Sequence, residues 1–161
     1  MAIQYRQMTT ISPALRRLLL SADPQWSHVS DALTAGIGWA GYQDDVLVSA
    51  SILVPHGATT LEVANLAVAS TYQRQGLGRA MIDFARDWAI QRRYRRLTVA
   101  TGTTSLGPLI MYQKCGFRVV KVEPNYFTTH YRRPIVENGV VLKDRLVLQQ
   151  AIGSKSTGPV I

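Results

Sequence analysis

The chain has 161 residues, 47% of them hydrophobic, which suits one domain with a substantial core and calls for no second. Its single cysteine, Cys115, excludes an internal disulfide and a cysteine-rich metal site, and three histidines at no ligand spacing argue against any bound metal. Eighteen Lys and Arg against ten Asp and Glu give a net charge of +8, which fits an anionic ligand, a nucleic acid or an acidic surface. The opening MAIQYRQM lacks the apolar run of a signal peptide, and no stretch approaches the length of a membrane span, so a cytoplasmic protein without membrane contact is expected.

In chain order, Ile3 to Gln7 reads as a first strand. Ser12-Pro13 starts a helix that runs to about Leu20, with Ser12 as cap and Pro13 in the first turn. Asp23-Pro24 can start a second helix toward Thr34. Gly36 to Ala40 and Val46 to Val54 form a hairpin turning at Gln43-Asp44-Asp45, and Pro55-His56-Gly57 makes the next turn. Thr60 to Ala69 is an apolar strand that carries Glu62. A helix follows from Gly78 to about Arg93, with Met81, Ile82, Ala85, Trp88 and Ala89 on or near its inner face. Leu97 to Thr101 is a short buried strand, and Ser105 to Lys114 a helix closed by Gly116 in the left-handed conformation. Phe117 to Val122 and Val140 to Leu148 complete a mixed α/β sheet with hairpins at both ends. The tail 153–161, GSKSTGPVI, has little to pack and is expected to be mobile, leaving 1–152 as a single domain.

The segment with the most chemical content is the junction Gln73-Arg74-Gln75-Gly76-Leu77-Gly78-Arg79. Two glycines let backbone amides approach a ligand, and the helix that follows adds unpaired N–H groups and a positive dipole end, so a phosphate or pyrophosphate fits there. Arg74 and Arg79 add donors suited to phosphate oxygens. Other phosphate loops fail on the residues. A dinucleotide fingerprint needs a third glycine where Met81 stands, and a P-loop over Gly102 to Gly107 would need Lys and a hydroxyl where Pro108 and Leu109 stand.

This loop, the strand before it and the later Tyr112-Gln113-Lys114-Cys115-Gly116-Phe117 resemble the GNAT superfamily of acetyl-coenzyme A dependent N-acetyltransferases, over Leu61 to about Val120. The resemblance implies that family's fold, with the sheet splayed between the glutamate strand and the next, and acetyl-CoA as cosubstrate. It implies that the backbone of Leu66, Ala67 and Val68 binds pantetheine, with a backbone N–H of Leu66 or Ala67 meeting the oxyanion. It also places the pyrophosphate on the amides of Arg74, Gln75, Gly76, Leu77, Gly78 and Arg79. At the position where many members hold the cofactor with Asn, this chain has the shorter Ser105. The overall likeness is to small bacterial acetyltransferases that share YQKCGFR and a P-I-x-E-N-G segment, here Pro134 to Gly139.

Acetyl transfer to an amine needs an unprotonated nitrogen, whereas an alkylammonium titrates near about 10, so a base is required. Glu62, one of three glutamates and set among apolar residues whose burial can raise its pKa, is the candidate. Histone-type members of the family carry their base on the same strand, fourteen positions before the loop's first glycine, which is the spacing from Glu62 to Gly76. Strict alternation puts Asn65 on the face away from Glu62, where it could still orient an amine or a water. Tyr112 matches the family's acid for the leaving thiolate, while Cys115 reads as a small core residue.

Tyr126 to Asp144 reads as a loop forming the wall of the acceptor pocket, with Tyr126, Phe127, His130 and Tyr131 shaping an amine site and Arg132 and Arg133 able to hold a carboxylate. Ala100 stands where ribosomal-protein alanine acetyltransferases carry a glutamate, which disfavours that subgroup. The expected acceptor is thus a primary amine of a small molecule or peptide, acetylated directly in a ternary complex. The competing reading of the same fold is a non-enzymatic acetyl-CoA binding or sensor domain. A nucleic-acid surface would rest on Arg92 to Arg96 alone, which a solvated helix end explains. A homodimer is possible through an exposed final strand, Val140 to Leu148.

Overall fold

The computed structural model describes residues 2–153. Seven strands form one sheet in the order β1-β2-β3-β4-β5-β9-β6, with a separate two-stranded ribbon, β7-β8. In the main sheet only β4 and β5 run parallel. The strands are β1 (Gln4–Gln7), β2 (Ile37–Gln43), β3 (Val46–His56), β4 (Thr60–Val68), β5 (Arg96–Gly102), β6 (Arg118–Glu123), β7 (Val136–Glu137), β8 (Val140–Val141) and β9 (Arg145–Ala151). The helices are α1 (Pro13–Ala22), α2 (Trp26–Ala35), α3 (Leu77–Gln91), α4 (Leu106–Lys114) and α5 (Tyr126–His130). None of the described helices is long and apolar enough to cross a membrane.

Local chemistry sets most boundaries where the residues say they should be. The Ser12 hydroxyl accepts the Leu15 N–H at 3.1 Å and Pro13 occupies the first helical position. Asp44 and Asp45, at φ 49 and 62, turn β2 into β3 in the left-handed pair that a two-residue hairpin requires. Helix α2 begins at Trp26, later than Asp23-Pro24 suggests, and the Asp23 carboxylate accepts the Gln25 N–H and the Tyr131 hydroxyl.

Three expectations are corrected. Strand β3 continues through Pro55 and His56, which pair with Leu61 and Thr60, and the turn, which opens at Gly57 with φ 69, lies two residues further on at 57–59. The stretch Val140 to Leu148 is not one strand. Asn138 and Gly139, both at positive φ, fold Val140–Val141 back on Val136–Glu137, and the sheet strand starts only at Arg145. Nor is β9 an exposed edge on which a second copy could add: it lies between β5 and β6, so the edges are β1 and β6. The tail's last residues, 154–161, lie outside the described ones.

The sheet carries a core on each face. Leu53, Leu61, Val63, Leu97 and Leu148 pack with Ile82 of α3 and Phe117 on one side. Ala50, Ile52, Val54 and Ala67 pack with Leu15, Leu19 and Val29 of α1 and α2 on the other. Between Val63 and Asn65 the β3–β4 ladder slips: Leu53 faces Val63 and Ile52 faces Asn65, leaving Ala64 as an extra residue. That bulge reverses the alternation of β4 from Asn65 onward. Glu62 opposite Val54 and Asn65 opposite Ile52 therefore share the α1 face, contrary to the strict period of two.

Leu19 is fully buried, and its carbonyl accepts the Asn65 side chain at 3.2 Å, so it fastens α1 to the bulged strand. Leu19→Ala should cost about 2–5 kcal/mol in urea unfolding, against under about 0.5 kcal/mol for exposed Ile90→Ala. Equal losses at the two sites would mean that the α1 face is not a core.

Candidate functional site

Strands β4 and β5 pair only over Thr60–Val63 and Arg96–Val99. Beyond that point, Ala64 to Val68 and Ala100 to Gly102 diverge and line a cavity of about 1190 Å³. Because β4 keeps its ladder to β3 there, the edge facing β5 has backbone groups with no strand partner. The splay expected between the glutamate strand and the next is thus present.

One end of the cavity is the loop after β4, where Arg74 at φ 62 and Gly76 at φ 80 curl the chain into α3. The first backbone bond of the helix is Ala80 N–H to the Gly76 carbonyl at 3.0 Å. The N–H groups of Arg74 through Arg79 have no acceptor among the described residues. Such a row of amides at a helix start, beside the guanidinium-bearing Arg74 and Arg79, is built for an anion. The Gln73 side chain donates to the Val68 carbonyl at 3.1 Å and ties the loop to the end of β4. A Cβ at Gly76 would meet no atom, so the glycine is required by its left-handed backbone rather than by space. The cradle fits a pyrophosphate.

Glu62 lies on the cavity wall with its side chain 23% exposed. Nε2 of His56 donates to its Oε1 at 2.7 Å. This partner was missed in the sequence because Pro55-His56-Gly57 looks like a turn, whereas on a continued β3 His56 lies two residues beyond Val54, the cross-strand neighbour of Glu62. Asn65 also lines the cavity. Its Nδ2 is spent on Leu19, and its buried Oδ1 has no protein donor.

Tyr112 is buried at the cavity floor, and the end of α4 fixes it there. Gly116 at φ 95 lets Phe117 N–H bond the Tyr112 carbonyl and Gly116 N–H bond the Gln113 carbonyl, both at 3.1 Å. This is a Schellman cap, and its apolar contact is the Tyr112 ring edge-on to Phe117, 5.9 Å between centroids. Burial, with a smaller contribution from Cys115, pushes the Tyr112 hydroxyl up to about 12, so it holds its proton at neutral pH. Cys115 faces the core and not the cavity, and burial pushes its thiol up as well. Ser105 does line the cavity, but it makes no helix cap: its hydroxyl donates to both oxygens of Glu137, at 3.0 and 3.1 Å.

The segment read as an aromatic loop is partly helix, with Tyr126, Phe127 and Tyr131 on the cavity wall. The Tyr131 hydroxyl donates to Asp23 Oδ2 at 2.9 Å, and burial followed by the Asp23 charge raises its pKa strongly. His28 meets the Tyr131 ring edge-on. Arg145 stacks over Tyr126 at 3.8 Å and pairs with Glu123. His130 stacks on Tyr126 but does not line the cavity, and neither do Arg132 and Arg133, so the structure gives no support to a carboxylate clamp there. Asp23 and Glu137, which sequence reasoning passed over, do line it.

A model of the Acetyltransferase (GNAT) family matches residues 9–117. The chain is 32% identical over 131 residues to the uncharacterized N-acetyltransferase YvbK of Bacillus subtilis (strain 168), covering 81% of this chain and 84% of that protein. A crystal structure of a GNAT family acetyltransferase from Elizabethkingia anophelis with acetyl-CoA bound superposes with a TM-score of 0.89 at 32% identity, covering 93% and 98% of the two chains. A Bacillus subtilis acetyltransferase in complex with CoA gives a TM-score of 0.89 at 28% identity over 94% and 99%.

Two outcomes follow from the cradle and from Tyr112. Gly76→Val forces a β-branched residue into positive φ and should weaken acetyl-CoA binding by calorimetry about tenfold or more, with the circular dichroism spectrum retained. Undiminished affinity would remove the cradle from the binding site. Because the folded-state pKa of Tyr112 lies above the ordinary 10.0, its contribution to stability is complete below pH 10 and is lost as the pH rises toward 12. Over that interval the wild type should lose about 2 kcal/mol more in urea unfolding than Tyr112→Phe. Parallel losses would place the hydroxyl in water.

Proposed function

The chain belongs to the GNAT family of acetyltransferases, and from that premise we propose that it moves an acetyl group from acetyl-CoA directly to a primary amine of a small molecule or peptide, within a ternary complex. The observation that carries this reading is a single cavity with the orphan amides of Arg74 to Arg79 at one end, the splayed β4 edge along it, and both Glu62 and Tyr112 on its walls. Acetyl-CoA, the cosubstrate of the family, supplies the acetyl group as a thioester whose thiol is the leaving group.

Each residue then has a physical task. The amides of Arg74 to Arg79, with the two guanidinium groups, hold the pyrophosphate. The β4 edge from Leu66 to Val68 offers strand-like hydrogen bonds to pantetheine, and a backbone N–H of Leu66 or Ala67 opposes charge developing on the carbonyl oxygen. Glu62 takes the proton from the incoming ammonium, directly or across one water. Asn65 lies on the same face by virtue of the bulge, with its Nδ2 held by the Leu19 carbonyl and its buried Oδ1 without a partner among the described residues. Tyr126 and Tyr131 wall the acceptor end.

Tyr112 faces the departing sulfur. Burial pushes the pKa of Tyr112 up to about 12 and holds its proton in place. Its larger contribution is therefore a hydrogen bond held on the sulfur as charge builds there. Direct transfer is favoured over a cysteinyl acyl-enzyme because the one thiol of the chain, Cys115, is turned away from the cavity.

The test is thiol release from acetyl-CoA with spermidine, kanamycin, free lysine and a lysine-rich peptide as acceptors. At least one should be turned over, and Glu62→Gln should lower its kcat by about a hundredfold or more while acetyl-CoA affinity stays within about twofold. An unchanged kcat removes Glu62 as the base.

A further inference from the structure

We propose that His56 is the proton outlet of Glu62, carrying to solvent the proton that Glu62 removes from the acceptor amine; the inference rests on Glu62 acting as the base. Three observations carry it. The His56 and Glu62 side chains are in hydrogen-bond contact at 2.7 Å. Their exposures are unequal, 57% for His56 and 23% for Glu62, so the pair reaches from the cavity wall to bulk water. His56 itself does not line the cavity, and it acts only through Glu62.

The pairing is also exclusive. No Lys or Arg forms an ion pair with Glu62 among the described residues. Nearby, Asn65 donates to the Leu19 carbonyl, Asp23 holds the Tyr131 hydroxyl and lies 3.7 Å from Nδ1 of His28, and Thr98, opposite Glu62 on β5, does not titrate. Val54 and Ala64, the neighbours on the same core face, are apolar. A proton on Glu62 therefore has one titratable side chain to move to.

The steps balance. The ammonium of the acceptor gives its proton to the Glu62 carboxylate, leaving a neutral amine with a lone pair for the acetyl carbon and a neutral carboxyl group. That carboxyl donates its proton to Nε2 of His56, which restores the carboxylate and makes an imidazolium. The exposed imidazolium releases a proton to water, regenerating the neutral ring. Nε2 accepts the proton in the Nδ1–H tautomer; the imidazolium then loses the Nδ1 proton to water, which leaves Nε2–H donating to the restored carboxylate, and exchange of the ring protons with solvent returns the Nδ1–H tautomer for the next turnover.

Glutamine at position 56 keeps a donor for Glu62 but carries no proton, whereas alanine leaves room for imidazole from the buffer. With the fastest amine of the panel, His56→Ala and His56→Gln should both lose about tenfold or more in kcat with the KM for acetyl-CoA unchanged. Added imidazole should restore His56→Ala in proportion to its concentration and leave Glu62→Gln unrestored. Independently of turnover, Glu62→Gln should move the ring ¹⁵N resonances of His56 in protein without acetyl-CoA. Full activity in His56→Gln, or no response of His56→Ala to imidazole, would reduce the histidine to a hydrogen-bond prop and overturn the relay. A wild-type kcat for His56→Ala beside an impaired Glu62→Gln would overturn the relay and leave the base in place. An unimpaired Glu62→Gln, or a panel with no turnover at all, would remove the base reading and the relay with it.

Discussion

Everything at this site depends on how briefly β4 and β5 stay together. Their parallel ladder lasts from Thr60 to Val63 and stops, while β4 remains paired to β3 as far as Val68. A buried strand edge without partners is costly, because each N–H and C=O that loses water needs another group. Here the edge borders a cavity, so water or an extended ligand can satisfy it. The bulge at Ala64 falls at the point of separation. It adds twist where the strands part and rotates Asn65 onto the Glu62 face, so one irregularity both opens the cleft and sets its lining.

The charge distribution follows the same axis. The phosphate end offers amide dipoles, Arg74 and Arg79, in keeping with a chain of net charge +8. Elsewhere on the walls stand the carboxylates of Asp23, Glu62 and Glu137, none of them paired with Lys or Arg among the described residues. Arg145, the other cation on the wall, is neutralised by Glu123. An anionic cosubstrate and a cationic amine would thus meet opposite potentials in one cavity, and such focusing acts on encounter as much as on affinity.

The sequence was most legible where one residue type has one physical use. Ser12-Pro13 could only start a helix, Gly116 closes α4, and Gly76 turns a strand into an amide cradle. Glu62 stands out as a lone acid in an apolar strand. What stayed hidden depends on phase and on distance along the chain. No local signal marks Ala64 as the extra residue of a bulge, so Asn65 was assigned to the wrong face, and the turn-like Pro55-His56-Gly57 concealed the histidine beside Glu62. The bond from Tyr131 to Asp23 spans 108 positions, and that from Ser105 to Glu137 spans 32. The family match ends at residue 117, before α5 and the β7-β8 ribbon. The wall that would select an acceptor thus lies beyond the residues the family model matches.

Ser105 shows how such a distant contact changes the meaning of a position. A hydroxyl has one proton to donate and two lone pairs to offer. In this fold the proton is shared between the two oxygens of Glu137, and the adjoining Asn138 donates to the Thr104 carbonyl at 2.9 Å, so the ribbon tip is fastened to the start of α4. What Ser105 retains for a ligand is its lone pairs. An asparagine there would present both an N–H donor and a carbonyl acceptor, whereas this serine can receive an N–H but has no proton left to give while Glu137 is ionised. The shorter side chain is thus not a weaker copy of the longer one. Its proton goes to a bond that holds β7 at the cavity wall and ties the ribbon to the same α4 that carries Tyr112.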